Sequence, residues 1–409
     1  MAIKYEHNDL CNCLSEGLAG AFQSRAARQL LGPLSGATDA PLLIAQSLKT
    51  EFGPWSQWPV YKAGKRCDDA IVRSAAEFWS FLRVSVVFAA NTYPVSNNRE
   101  KPDEIWGRVI HIRSIPPIVT LLLLTTLIPK FDMELIFSEF VSRGGRMSAA
   151  GSGQLKEHGL DRLWSYTMKY YYLSLEKESL YEGQESGLLH EKGSGLYICR
   201  GTSSINVRVR SKRSRLTDSN QWTCLVLSTW KRYDGHNPDF ANHCEVFLWT
   251  VGRALSEIRR ELRGVAQEIS LLAVPSDEFL FNEAYRESLI CENTSYSNSK
   301  TYFWALQTLR TINDCINSLL STWERFEVYH LPDLLCGWNY VLSEQESKRH
   351  DPGPTSNTVS FLKHIKDKLV KLKELRSLNI ERQEEIESLR DGLFNASTVL
   401  EARTTVLQG

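Results

Sequence analysis

The sequence carries no excess charge of either sign: 48 Lys and Arg balance 48 Asp and Glu over 409 residues. Such a chain has no global field to draw it to nucleic acid or an anionic membrane, so no nucleic-acid partner is expected. A long hydrophobic run is also missing. The strongest, Ile115 to Ile128, holds 14 residues, with Pro116, Pro117 and Pro129 in or beside it. A bilayer-crossing helix needs about 20. This run is expected to enter a core, and no membrane span is expected in this chain. The opening residues, Met-Ala-Ile-Lys-Tyr-Glu-His, lack the apolar stretch of a secretory signal. The acceptor patterns at Asn293 and Asn395 are therefore read as incidental, and a cytoplasmic location is expected.

Metal-binding and catalytic spacings are lacking too. Among nine Cys the nearest pair is Cys11 and Cys13, and no C-x2-C or matching Cys/His spacing occurs. These read as reduced thiols, mostly buried. No phosphate-binding glycine loop, dinucleotide fingerprint, nucleophile elbow, H-E-x-x-H or calcium loop is present. The nine His are scattered, and Asp68-Asp69 is the only adjacent Asp pair. The chain is not expected to be an enzyme.

What is present suits a folded protein. Apolar residues make up 42% and charged ones 23%, ordinary for a globular chain, with 11 Trp, 15 Tyr and 16 Phe for a core. The length suggests two or three domains. Residues 1–130 give the weakest signals. Asp69 to Ala90 carries Ile71, Ala75, Phe78, Leu82 and Val86 at helical spacing, and Trp106 to Ile112 alternates as a short strand. Phe131 to Phe140 predicts a short helix, and the glycine-rich segment ending at Gln154 predicts a break. Leu196–Cys199, Ile205–Arg210 and Thr223–Leu227 read as two or three antiparallel strands. Arg208, Arg210, Lys212, Arg213 and Arg215 form the one basic stretch. Its alternation with Val207 and Val209 predicts a charged edge strand rather than a nucleic-acid patch.

From about residue 240 the spacing is helical. Leu255, Ile258, Leu262, Val265, Ile269 and Leu272 form a heptad-like seam that Pro275 ends. A second helix is predicted from Tyr302 to Phe326, its stripe interrupted at Asn313. The segment 343–357, with two Pro and a Gly, reads as a linker. Beyond it a helix of nearly fifty residues is predicted, about 70 Å long. Its seam is Leu362, Ile365, Leu369 and Leu372, then Ile386, Leu389, Leu393, Ala396 and Leu400. Leu375 and Leu378 break the register between the two runs, as a stammer would. Such a helix needs partner helices from this chain or from other copies, so self-association through it is expected. Its charges are polarised: Val359 to Arg376 holds six Lys/Arg against two Asp/Glu, and Ser377 to Asp391 two against five. The acidic residues after Pro275, namely Asp277, Glu278, Glu283 and Glu287, are the weak metal candidates, with Mg²⁺ the fitting ion.

Two blocks carry a family resemblance. They are residues 279–319, beginning FLFNEAYRESLICENTSYSNSKTYFWALQTLR, and residues 380–404, IERQEEIESLRDGLFNASTVLEART. The run Arg390-Asp391-Gly392-Leu393-Phe394-Asn395-Ala396-Ser397 is the most specific part. Residues 240–404 thereby resemble the fungal CorA-like magnesium-transporter proteins. The resemblance implies a cytosolic α/β body, two long antiparallel helices and a longer stalk helix, five copies surrounding a pore. In that family the stalk continues into two apolar spans with a Gly-Met-Asn signature. Here the sequence stops at Gly409, and none of its four Met sits in Gly-Met-Asn. This chain is therefore not expected to conduct ions by itself.

The expected fold is α+β: a mixed α/β body with a small sheet, a long helical hairpin and a C-terminal stalk helix. The expected divisions are an α-rich region at 1–130, the CorA-like body at 131–342, a linker at 343–358 and the stalk at 359–409. The expected function is a CorA-like cytosolic domain tied to divalent-cation (Mg²⁺) transport or its regulation. The alternative is a soluble coiled-coil interaction or scaffold protein with no metal role.

Overall fold

The computed structural model describes residues 57–62, 65–71, 105–113, 120, 123, 131–141, 148–154, 162–175, 186–189, 195–210, 221–229, 240, 242–274, 277–290, 296–336 and 356–408. The fold is mixed α+β. Its strands are β1 (Gln57–Lys62), β2 (Lys65–Ile71), β3 (Ile105–Arg113), β4 (Ala149–Gln154), β5 (Arg162–Ser174), β6 (Ser186–Leu188), β7 (Tyr197–Arg210) and β8 (Gln221–Ser228). Its helices are α1 (Met133–Val141), α2 (His243–Ala273), α3 (Glu283–Ile290), α4 (Ser297–Tyr329), α5 (Leu331–Cys336) and α6 (Ser356–Gln408).

One sheet holds the order β2-β1-β3-β8-β7-β5-β4, with β6 added to β7. All pairings are antiparallel except β3 with β8. Residues 105–113 thus sit at the sheet's centre, beside β8. Within the region before residue 130, expected to be α-rich, the described residues include three strands of the common sheet, and most of the region lies outside the described residues. The helix expected over Asp69 to Ala90 is corrected at its start, since Asp69–Ile71 closes β2; its remainder lies outside the described residues. Of the apolar run, Thr120 and Leu123 are fully buried, and the other residues lie outside the described ones. No helix among the described residues is long and apolar enough to cross a membrane.

Two further expectations fail at the sheet. The glycine-rich segment ending at Gln154 forms β4, because small residues let it lie flat along Arg162–Thr167 of β5. The basic stretch begins on a central strand, not an edge. Residues Ser203–Val209 of β7 have β8 on one side and β5 on the other. Of the two or three antiparallel strands expected here, two form: Tyr197–Cys199 and Ile205–Arg210 belong to the single strand β7, and Thr223–Leu227 to β8 beside it. The turn expected between β7 and β8 lies outside the described residues.

Alternation on β5 and β7 sends one set of side chains toward the long helices. Trp164, Tyr166, Met168 and Tyr170 of β5 join Ile205, Val207 and Val209 of β7 in the main core. Gly201 of β7 faces Tyr170, and any Cβ there would stand inside the tyrosine ring. The core continues as a bundle of α2, α4 and α6. Asn242 caps α2, its side chain accepting from the Glu245 N–H at 2.9 Å. Leu255, Ile258, Leu262, Val265 and Ile269 are fully buried, and Ala273 rather than the half-buried Leu272 ends the seam.

Side-chain contacts fix the directions. Gly252 and Ala266 of α2 meet His364 and Arg382 of α6, so these two helices run parallel. Glu327, Asn313 and Leu306 of α4 meet Lys366, then Gln383 on α6, so α4 runs antiparallel to both. A Cβ on Gly252 would lie 3.0 Å from the His364 ring and 3.2 Å from Ile365. Glycine lets the two backbones approach at a point where alanine would otherwise favour the helix.

Candidate functional site

The expected seam of α6 is real but differently placed and differently used. Thr358, Ile365, Leu372, Asn379, Ile386 and Leu393 recur every seven residues, and all are buried. Leu369 and Leu375 are also buried, while Leu362 and Leu389 are half-buried. No stammer occurs. Leu378 is exposed and Asn379 takes the seam position. The seam expected to join other copies is occupied by α2 and α4 of the same chain. The Leu400 side chain lies outside the described ones.

Asn379 enters the seam through a polar layer. Its Nδ2 donates to Asn313 Oδ1 at 3.1 Å, and Asn313 Nδ2 donates to Gln383 Oε1 at 3.1 Å. Gln383 Nε2 reaches the Leu306 carbonyl at 3.4 Å. The apparent gap in the α4 stripe at Asn313 is therefore the partner of a matching gap on α6. A buried amide pair holds one axial register where a purely apolar heptad would tolerate several. Sequence reasoning noted Asn313 but missed Asn379; its position midway between Leu372 and Ile386, seven from each, was the available signal.

The second face of β5 and β7 is polar although covered. Ser165 Oγ donates to Asn206 Oδ1 at 2.8 Å, Thr167 and Ser204 hydroxyls lie 2.9 Å apart, and Asn206 Nδ2 donates to Ser204 Oγ at 3.1 Å. Lys169 and Arg208 are buried on this face at 2% and 7% exposure. Burial lowers the Lys169 ammonium to about 8; Arg200 lowers it further and Glu139 opposes. Lys169, Arg200 and Arg208 all have partners of their own. The strip is thus an internal polar network that ties β5 to its sheet neighbour β7.

Where β5 meets α2 and α4, aromatic rings pack around His243. Trp164 stacks on it at 5.4 Å, and Tyr166 meets Phe326 edge-on at 5.5 Å. Neither His243 ring nitrogen reaches hydrogen-bond geometry. Burial lowers its pKa to about 4, despite a raising effect from the Leu334 backbone, and Arg162 lowers it further. Burial also pushes Cys244 and Cys315 up to about 12, and Cys224 higher still. These thiols stay protonated at neutral pH, so none is an activated nucleophile.

The acidic candidates fall elsewhere. Glu278, Glu283 and Glu287 are exposed on the turn before α3 and on α3 itself, and Glu278 accepts from Asn282 Nδ2 at 3.1 Å. The side chain of Asp277 lies outside the described ones. No three His, Cys, Asp or Glu side chains converge on a metal-sized site among the described residues. No protein-family model matches the chain, and no curated protein matches it.

Proposed function

We propose that this chain is a CorA-like cytosolic body, related to divalent-cation transport or its regulation, in which α6 carries the state of the body to a partner. One observation supports this reading. A mixed sheet is followed by a helical hairpin and then by a single 53-residue helix, parallel to a first helix of 31 residues and outrunning it. A helix clamped along most of its length and longer than its neighbours is a lever. Any change in the sheet or hairpin moves its far end. The role needs no reacting group on this chain, and it fits a cytoplasmic protein that associates with itself. Mg²⁺ would act between copies, screening carboxylates that otherwise repel.

A second reading, a soluble interaction or scaffold protein with no metal role, is favoured by the exposure and dispersal of Glu278, Glu283 and Glu287. One experiment separates them. Under the first reading, Mg²⁺ in place of EDTA changes the sedimentation mass or raises the melting temperature of the full chain. If both quantities stay the same in Mg²⁺, Ca²⁺ and EDTA, the metal reading fails and the scaffold reading stands.

A further inference from the structure

With its seam buried internally, α6 still presents a second, regular face to solvent. The residues Val359, Lys363, Lys366, Val370, Lys373, Ser377, Ile380, Glu384, Glu387, Asp391 and Phe394 follow one another at alternating spacings of four and three. They form a single straight stripe about 53 Å long. All are exposed except the half-buried Glu387. Val359, Val370, Ile380 and Phe394 are 53%, 53%, 36% and 58% exposed, high for side chains of this kind on a folded surface.

The order of charges along the stripe is the informative feature. Every charged residue before Ser377 is Lys, and every one after it is Glu or Asp. The positions mirror about Ser377. Lys363 and Asp391 are each fourteen residues from it; Lys366 and Glu387 are eleven and ten away; Val359 and Phe394 are eighteen and seventeen. A two-fold axis through Ser377 therefore sets Lys363 against Asp391, Lys366 against Glu387 and Val359 against Phe394 toward the two ends of the stripe, while nearer the axis Val370 meets Glu384 and Lys373 meets Ile380. Parallel pairing in register would set like charges together. Within the chain this face is largely unengaged. Lys366 pairs with Glu327 of α4 at 2.9 Å and Asp391 with Arg390 at 2.9 Å, while among the described residues Lys363, Lys373, Glu384 and Glu387 meet no ion-pair partner.

We infer that the partner of this face is a second copy of the same chain, docked antiparallel through α6 with its two-fold axis at Ser377. The interface is isologous, so it closes as a dimer and leaves no surface for a filament. It depends neither on Mg²⁺ nor on the proposed relation to cation transport. Its failure would leave that reading standing, and the reverse holds too.

The test is charge reversal on the full chain, with mass read by sedimentation at low salt. The wild-type chain should be dimeric. K363E/K366E sets carboxylate against carboxylate across the axis and E387K/D391K sets lysine against lysine, and each should be monomeric with unchanged helix content. An equimolar mixture of the two should dimerise, and the four-fold variant with both pairs exchanged should dimerise by itself. K363C mixed with D391C should crosslink, whereas V359C alone should not. A wild-type chain monomeric up to about 0.1 mM, where weak surface pairings already appear, would overturn the inference. So would an oligomer indifferent to both reversals, or a mixture that fails to pair. Because the four-fold variant keeps the wild-type net charge, its behaviour stays informative if either half-reversal folds poorly.

Discussion

His243 shows what one residue contributes. It opens α2, stacks on Trp164 and is held neutral by burial, with its pKa lowered to about 4. In the unfolded chain the same imidazole titrates near 6.5. Between those values the unfolded state binds a proton that the folded state refuses, so stability falls as pH drops below about 6.5 and the loss is complete below about 4. At pH 4.5 the deficit from this group is about 2 to 3 kcal/mol relative to pH 7. His243→Phe keeps an aromatic ring against Trp164 and removes the titration. Its unfolding free energy should depend less on pH over that interval by the same amount, the carboxylates being common to both proteins. Parallel curves for variant and wild type would show that the imidazole does take up its proton in the fold. The Lys169 ammonium meets the same charge problem on the other sheet face, burial lowering its pKa to about 8. Its burial was not legible, because a lysine amid Tyr-rich sequence gives no signal of which side it will face.

Among the elements, α6 tests how far periodicity can be read. The helix itself, its Leu and Ile seam and its partners' seams were legible, since apolar residues three and four apart must share a face. The sequence reading lost the register between Leu372 and Ile386 because it followed apolar side chains only. Leu375 and Leu378 then looked like a shift, whereas Asn379, paired with Asn313, continues the heptad. The sheet was less legible for a related reason. β4 has no apolar alternation, and β7 carries arginines at positions that burial normally excludes. The corrected register makes a sharp prediction. Leu372 is fully buried and Leu378 is 50% exposed, six residues away on the same helix. Leu372→Ala should cost about 2 to 5 kcal/mol in chemical denaturation, as buried leucines do. Leu378→Ala should stay within about 0.5 kcal/mol. Equal losses would restore the shifted register. The same reasoning predicts the effect of Leu393→Asp. At 3% exposure within its own bundle, Leu393 stabilises the fold, and the charged variant should lower the melting temperature whatever the oligomeric state.

At the scale of the whole molecule, zero net charge turns from an absence into a tool. A chain with a large charge repels or attracts its copies through its overall field, and salt then acts everywhere at once. Here the overall field between two copies nearly vanishes, so ionic strength acts on local pattern, and the most ordered local pattern described is the Lys-to-Glu gradient along α6. At 0.05 M salt the screening length is about 14 Å, long enough for lysines and carboxylates across the proposed interface to attract; at 0.5 M it is about 4 Å. Exposed pairs are individually weak, so the dimer should weaken roughly tenfold or more over that range. The bundle inside each copy is held by apolar burial, which salts of this kind do not weaken. Sedimentation across a salt series should therefore show dissociation at constant melting temperature and constant helix content. Association that strengthens with salt would place the contact on an apolar surface instead. The exposed Leu280, Phe281 and Phe303 near the α2–α4 turn would then be the next residues to replace. A dissociation accompanied by melting would mean that the copies exchange helices, with the α6 seam shared between chains rather than closed within one.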